Sequence, residues 1–277
     1  MKNICVPVDF THTAMNALKY AIDKYKGDNI SVIYVSPSSL SSVKTEHSLL
    51  GRVSTIQDDL TAELRSVIKL ELGIKEIPSN VSLLVLKGDV VSEVQGYVRK
   101  NDTDVVVMGT RDKYDIFDKL IGTTSLALVK TLNCPVILIP RNATYKAYKK
   151  IIVALDTHAI SCNIGNKVKE WNDTYNAFVK FLHIVDNDKD FQEETDAVVS
   201  ELFSGSEPKF GFELSHVESK EIGSTILSSA YNFGADLIIS TPGKQNFLSA
   251  LFFKSVTKEL IQKVSIPILF LHKNDEL

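Results

Sequence analysis

The stretch Ile4-Cys5-Val6-Pro7-Val8-Asp9 decides the fold, because it returns as Ile151-Ile152-Val153-Ala154-Leu155-Asp156, 147 positions further on. Each copy is a short apolar run that ends in an aspartate, as expected of a buried parallel strand. A second stretch, Asp104-Val-Val-Val-Met, matches Asp236-Leu-Ile-Ile-Ser at a shift of 132. The chain therefore contains an internal repeat of one structural unit, and the middle region of the second copy is 15 residues shorter.

Runs rich in Val and Ile alternate with amphipathic stretches throughout the first half. We predict strands at 3–8, 29–36, 81–87, 103–109 and 135–139, and helices at 12–26, 54–72, 89–100 and 123–133. Strands that alternate with helices form a parallel sheet. The sequence therefore predicts an α/β protein of two tandem, Rossmann-like or flavodoxin-like domains, each with a five-stranded sheet in the order 3-2-1-4-5. Their ranges are 1–140 and 150–277, with residues 141–149 as a polar linker.

Composition and charge exclude several classes of protein. The 277 residues are 44% apolar and 23% charged, which suits folded domains. A net charge of −3 provides no general basic surface for nucleic acid or anionic lipid. No apolar run approaches the roughly 18–20 residues of a membrane span, and Pro7 and Asp9 interrupt the first residues where a signal peptide would be apolar. We therefore expect a cytoplasmic protein without nucleic-acid or membrane partners.

Metal and catalytic motifs are missing from the sequence. The three cysteines show no CxxC spacing, and the six histidines include no pair at helical i, i+4 spacing. No G-x-S-x-G stretch is present to place a nucleophilic serine. The sequence therefore predicts no metal site and no catalytic residues.

Several residues are expected to meet where the strands end. In an open parallel sheet, ligands bind beyond the carboxyl ends of the strands, at the point where the strand order reverses. Asp9 ends the first predicted strand, and Gly109-Thr110-Arg111 opens a loop that reaches Gly122-Thr123-Thr124 at a helix start. Exposed N–H groups at a helix start attract anions, and glycines let phosphate oxygens approach. This arrangement favours phosphate as the ligand.

These residues resemble the nucleotide motif of the universal stress protein family, and the chain resembles a tandem member over essentially its whole length. In that motif an Asp closes the first strand, and Gly-x-x-Gly, nine residues, and a Gly followed by Ser or Thr come later. Asp9, Gly109, Gly122 and Thr123 match these elements. The resemblance implies a non-enzymatic stress-response protein that binds ATP, with Mg²⁺, through Pro7, Val8, Asp9, Val35, Gly88, Met108, Gly109, Arg111, Gly122, Thr123 and Thr124.

Two departures from the motif leave the function open. Asp112 stands where the middle glycine belongs, and its carboxylate repels a triphosphate unless Mg²⁺ bridges them. In the second half Gly88, Gly109, Asp112 and Gly122 are replaced by Lys220, Thr241, Lys244 and Lys254, while Asp156 and Ser255 remain. One hypothesis is ATP binding in the first domain only. The alternative is a nucleotide-free interaction module with both pockets closed, and a small-anion site at the three lysines also stays open.

The last strands of the two halves, 136–139 and 268–271, are short and almost continuously apolar. Uncovered edges of this kind aggregate. The family resemblance implies that the two domains pair through these strands as an internal pseudo-dimer, and that two chains can associate further as a homodimer.

Overall fold

A computed structural model describes residues 1–37, 56–110, 123–155, 163–185, 202, 208–241 and 265–272. Six helices lie in these ranges: α1 His12–Lys24, α2 Ile56–Leu72, α3 Val90–Lys100, α4 Thr123–Thr131, α5 Ile164–Asn172 and α6 Ile222–Phe233. Among the described residues, no helix combines the length and the apolar character that a membrane crossing needs. The strands are β1 Asn3–Val8, β2 Asn29–Ser36, β3 Val81–Lys87, β4 Val105–Gly109, β5 Val136–Ile139, β6 Lys150–Leu155, β7 Phe178–Val185, β8 Phe212–Glu218, β9 Leu237–Ser240 and β10 Ile268–Phe270.

The strands form one ten-stranded sheet in the order β3-β2-β1-β4-β5-β10-β9-β6-β7-β8. Each half therefore follows the order 3-2-1-4-5, and the predicted fold class is confirmed. Neighbouring strands within each half are parallel, whereas β5 and β10 pair antiparallel, with Ile137 opposite Leu269. Helices cover both faces, and α1 and α2 pack on one face of the first half while α3 and α4 pack on the other.

The repeated aspartate found in the sequence fastens the fourth strand of each half to the first. Asp104 Oδ2 accepts a hydrogen bond of 2.6 Å from the backbone N–H of Asn3. Asp236 Oδ2 accepts from the backbone N–H groups of Lys149 and Lys150, at 2.8 and 3.0 Å. The repeat of this residue thus has a structural cause.

Asp236 is the more buried of the two aspartates and pairs with Lys146 at 2.6 Å. Burial alone would raise the pKa of Asp236, but the hydrogen bonds from Lys146 and the two backbone amides together lower it. The ordinary pKa of an aspartate is 3.8, and a carboxylate whose pKa is lowered stabilises the fold at pH values above 3.8. This stabilisation is lost as the pH falls through the folded-state pKa.

We expect Asp236→Asn to lower the free energy of unfolding at pH 7 by about 2 kcal/mol, because an amide cannot replace the charged acceptor. Urea denaturation measures the change, and the loss should shrink as the pH falls below 3.8 and through the lower folded-state pKa, where the wild-type carboxylate becomes protonated too. Asp104→Asn is the matched control with a smaller expected effect, since Asp104 is exposed. Equal losses at both positions would contradict the role assigned to burial.

Part of the segment 141–149 packs against α1. Asn16 Nδ2 on α1 donates to the carbonyl oxygens of Pro140 and Ala143, at 3.0 and 2.9 Å. The buried hydroxyls of Tyr20 and Tyr148 lie 2.8 Å apart. Two residues of the segment predicted as a polar linker, Ala143 and Tyr148, therefore belong to the core.

Lys24, in the last turn of α1, reaches an aromatic cluster at this junction. Its Nζ donates to the hydroxyl of Tyr175 and lies 4.5 Å from the ring centre of Tyr148 and 5.6 Å from that of Trp171. Burial, together with the positive charge of Lys2, lowers the pKa of Lys24 from 10.5 to about 7. The rings attract the ammonium through cation–π contacts, which partly offset its loss of water.

We expect the free energy of unfolding to rise with pH between about 7 and 10, because there the unfolded amine binds a proton that the folded amine has lost. Above that range the buried tyrosines oppose the rise, since burial raises the pKa of Tyr148 and Tyr25. Lys24→Met keeps the volume without the charge. It should unfold at higher urea than wild type at pH 6 and show a flatter pH profile.

Fluorescence of Trp171, the only tryptophan, reports this transition directly from the cluster. If Lys24→Met were less stable than wild type at every pH, the ring contacts would outweigh the cost of burying the charge.

Candidate functional site

The candidate crevice lies at the carboxyl ends of β1, β2 and β4. Because β1 pairs with both β2 and β4, three predicted site residues lie at the same edge of the sheet: Asp9 directly follows β1, Val35 is the next-to-last residue of β2, and Gly109 ends β4. The sequence predicts that these three residues lie close together, at the point where the strand order reverses.

The four apolar residues assigned to the site do not all share one face. Val8 belongs to the core beneath α1 and α2, whereas Val35 and Met108 belong to the core beneath α3 and α4. Pro7 is buried within β1. Side chains alternate between the faces of a strand, so these residues cannot enclose one ligand from a single side.

Asp9 is exposed and is held in a turn at the start of α1. Its Oδ1 accepts from the hydroxyl of Thr11 at 2.7 Å and from the backbone N–H of Thr11 at 3.3 Å. Thr11 in turn caps α1 by accepting from the N–H of Ala14 at 3.2 Å. The carboxylate therefore has a defined position beside the first turn of the helix.

Phe10, within the same turn, is a site feature that sequence reasoning missed. Its φ of +61° is unusual for a residue with a side chain, and its ring centre lies 4.6 Å from that of Tyr34 on β2. A left-handed backbone at such a residue costs of order 1–3 kcal/mol and is often found at functional sites. No pattern in the sequence signals it, because phenylalanine has no preference for this conformation.

Gly109 is a glycine because α1 lies against the end of β4. A Cβ on Gly109 would stand 2.8 Å from both the backbone oxygen and the Cγ2 of Thr13. The hydroxyl of Ser125 donates to the carbonyl of Gly109 at 3.3 Å and brings the first turn of α4, with Thr123 and the exposed Thr124, to the same edge. Close packing thus accounts for this glycine without any ligand.

Thr110 is the second feature that sequence reasoning left out of the site. The residue is 7% exposed, and its Oγ1 has no hydrogen-bond partner among the residues that the structure describes. Its backbone N–H is satisfied by the carbonyl of Ile139 at 3.0 Å. A buried hydroxyl without a partner is costly, which makes it a candidate for contact with a bound molecule.

Gly88 follows β3 and is explained by its backbone. Its φ is +153°, and a Cβ there would stand 2.6 Å from the carboxylate of Glu93. Its N–H donates to the carbonyl of Ser36 at 3.1 Å, next to the end of β2. The next residue, Asp89, caps α3 by accepting from the N–H of Ser92. Gly88 therefore serves a tight strand-to-helix turn.

Other residues of the predicted sites lie outside the described ranges, namely Arg111, Asp112, Gly122, Asp156, Lys244, Lys254 and Ser255. In the described part of the second half, Lys220 is exposed, whereas Thr241, the counterpart of Gly109, is 3% exposed. Within the described residues, no group of three or more His, Cys, Asp or Glu side chains could hold a metal ion.

The sequence model of the Universal stress protein family matches residues 1–140, half of the chain. The chain belongs to the universal stress protein family. Universal stress protein MJ0531 of Methanocaldococcus jannaschii is 23% identical over 145 residues, which cover 50% of this chain and 82% of that protein. MJ0577 of the same organism is 22% identical over 154 residues, which cover 50% of this chain and 95% of that one.

Solved structures extend the likeness in fold to the whole chain. The crystal structure of a universal stress protein from Archaeoglobus fulgidus has a TM-score of 0.63 at 16% identity. The alignment covers 99% of this universal stress protein and 97% of that chain. A putative universal stress protein from Pseudomonas aeruginosa has a TM-score of 0.55 at 13% identity, covering 99% and 94%. The second half thus shares the fold of the family.

We expect Gly109→Ala to lower the free energy of unfolding of this universal stress protein by about 1–3 kcal/mol, because the backbone of Thr13 must move. Gly96, inside α3, is the matched control, since a Cβ there meets nothing within 4 Å. Gly96→Ala should raise stability by up to about 1 kcal/mol through helix propensity. Thermal or urea denaturation checks both, and a neutral Gly109→Ala would contradict the packing argument.

Proposed function

We propose that this universal stress protein acts in stress response as a cytoplasmic, non-enzymatic ATP-binding protein, with the nucleotide in its first half. The observation that carries the proposal is the buried Oγ1 of Thr110, which has no hydrogen-bond partner within the described part of the chain and lies beside the end of β4. Asp9 lies on the neighbouring strand end, so a ligand in the crevice can meet both residues.

The residues present fit a nucleotide in their chemistry. Asp9 would accept hydrogen bonds from a ribose or bind a metal ion that arrives with the nucleotide, such as Mg²⁺. Thr110 would supply a hydroxyl, and Arg111 a permanent positive charge for phosphate. Gly122, Thr123 and Thr124 would offer backbone N–H groups at the start of α4. Bound ATP would be held rather than hydrolysed, because no general base or nucleophile accompanies these residues.

The second half would serve as a structural or regulatory partner. The buried side chain of Thr241 occupies the position of Gly109, and three lysines replace other members of the motif. The antiparallel pairing of β5 with β10 supports an internal pseudo-dimer of the two halves. We also propose that two chains form a homodimer, which sedimentation of the purified protein tests.

Isothermal titration of the full-length chain with Mg-ATP tests nucleotide binding. Thr110→Val keeps the shape of the side chain and removes the hydroxyl, and we expect roughly 3- to 10-fold weaker binding, about 0.5–1.5 kcal/mol. Asp112→Gly should strengthen binding about 5-fold, since it removes a repulsion of about 1 kcal/mol. Gly122→Lys, which copies Lys254, should abolish binding. Thr241→Val is the matched control and should bind ATP like wild type.

Two outcomes would contradict the proposal. If neither the wild type nor Asp112→Gly bound ATP, the nucleotide-free interaction module would be the better function. If Thr241→Val weakened binding as much as Thr110→Val, the assignment to the first half would be wrong. Native mass spectrometry of the gently purified protein adds an independent check, by showing whether a nucleotide is retained.

A further inference from the structure

A second cavity lies at the opposite edge of the first half, where β1, β2 and β3 begin. Its volume is about 420 Å³, within the range of small-molecule sites. The candidate nucleotide crevice lies at the carboxyl ends of β1, β2 and β4, so the two places are separated by the length of the strands. A role for this cavity is thus independent of the proposed function.

The lining of this cavity is polar and carries no formal charge. Four asparagines, three serines, a threonine and a tyrosine line it, and the other two lining residues are the buried Ile4 and Ile30. Several lining groups hold one another in place. The hydroxyl of Tyr97 donates to Ser31 Oγ at 2.8 Å, and Ser31 Oγ lies 3.2 Å from Ser82 Oγ. The cavity therefore has a fixed wall of hydroxyl groups.

The side-chain amides of three lining asparagines use their N–H groups within the protein. The Nδ2 groups of Asn29, Asn80 and Asn101 donate to Asn3 Oδ1, to the carbonyl of Asp28 and to the carbonyl of Tyr97, at 3.1, 2.7 and 2.8 Å. No hydrogen bond from the described residues reaches the Oδ1 atoms of these three side chains. Free acceptors of this kind suit a ligand rich in O–H groups.

The surroundings of the cavity disfavour anions. The carboxyl end of α3 points its last carbonyl groups toward Asn101, which caps that helix. Asp104 Oδ2 binds the backbone N–H of Asn3, and Asp28 Oδ1 binds that of Lys2. Phosphate groups would meet partial and full negative charges at this edge.

The second half fills the same place with large side chains. By strand register, Asn29 corresponds to Phe178 and Ser31 to Lys180. Asn101 corresponds to Phe233, since each precedes a residue with positive φ, Asp102 or Gly234. The rings of Phe178 and Phe233 lie 6.2 Å apart, and Lys180 Nζ lies 5.3 Å from the ring centre of Phe233. The fold does not impose the cavity; the side chains of the first half create it.

We propose that this cavity is a binding site for a neutral polyhydroxylated molecule, a sugar or a polyol. The ligand donates its hydroxyl protons to the asparagine oxygens and packs among uncharged side chains. Because the site is partly open, with Asn29, Ser82 and Asn101 exposed, we expect dissociation constants of about 1 mM or weaker.

Nuclear magnetic resonance of the full-length ¹⁵N-labelled protein tests the proposal through the side-chain amides of Asn29, Asn80 and Asn101. The probes are D-glucose and myo-inositol, with inorganic phosphate and spermidine as charged comparisons. The neutral probes should shift these amide signals in a saturable way, and the charged probes should not.

Three variants place side chains of the second half at the corresponding positions of the cavity in the first half. Asn101→Phe and Asn29→Phe follow Phe233 and Phe178, and both should weaken binding of the neutral probes at least 10-fold. Ser82→Glu follows Glu213 and places a charge at the cavity with little risk to folding, because Ser82 is exposed on an edge strand. Asn232→Phe is the matched control at an exposed helix position and should bind like wild type.

The proposal is overturned if glucose and inositol produce no saturable shift in the folded wild type. It is equally overturned if phosphate or spermidine binds in their place, or if a folded Ser82→Glu or Asn101→Phe protein binds the neutral probes with wild-type affinity.

Discussion

The antiparallel pairing of β5 with β10 is the interaction on which the rest of the structure depends. The paired residues, Val136 to Leu138 and Ile268 to Phe270, are all fully buried, so the seam between the halves is as dry as the core. Either strand alone would expose an apolar edge of the kind that recruits other chains. Each half covers the edge of the other.

The two halves share the same arrangement of strands but differ in the spaces that remain open at the strand ends. In each half an aspartate at the start of the fourth strand bonds the backbone of the first, so the sheet has the same register in both. The open places differ at both edges of the sheet. Thr241 puts a buried side chain where Gly109 has none, and Phe233 fills the place where Asn101 leaves a cavity. The two halves therefore differ in side chains at the strand ends, whereas their strand order and register are the same.

Most of the fold could be predicted from the sequence, because parallel strands buried on both faces appear as unbroken Val and Ile runs. The predicted bounds of β1, β2 and β3 agree with the structure, and predicted helix 12–26 ends two residues early, at Lys24. The geometry of the candidate site could not be predicted in the same way. The positive φ of Phe10 and the orphaned hydroxyl of Thr110 depend on tertiary contacts that have no local pattern. The separation of Val8 from Val35 and Met108 follows from strand alternation, which a motif match ignores.

Gly109 shows why a motif match and a binding site are different things. A glycine at this point suggests close approach of a phosphate, yet the atoms nearest to its missing Cβ belong to Thr13 of α1. The glycine would be required in an empty crevice as much as in a filled one. Thr110 differs, because burying a hydroxyl without a partner costs free energy that packing does not return. Thr110 and the position of Asp9 therefore favour a ligand in the first half, whereas Gly109 provides the space that α1 needs.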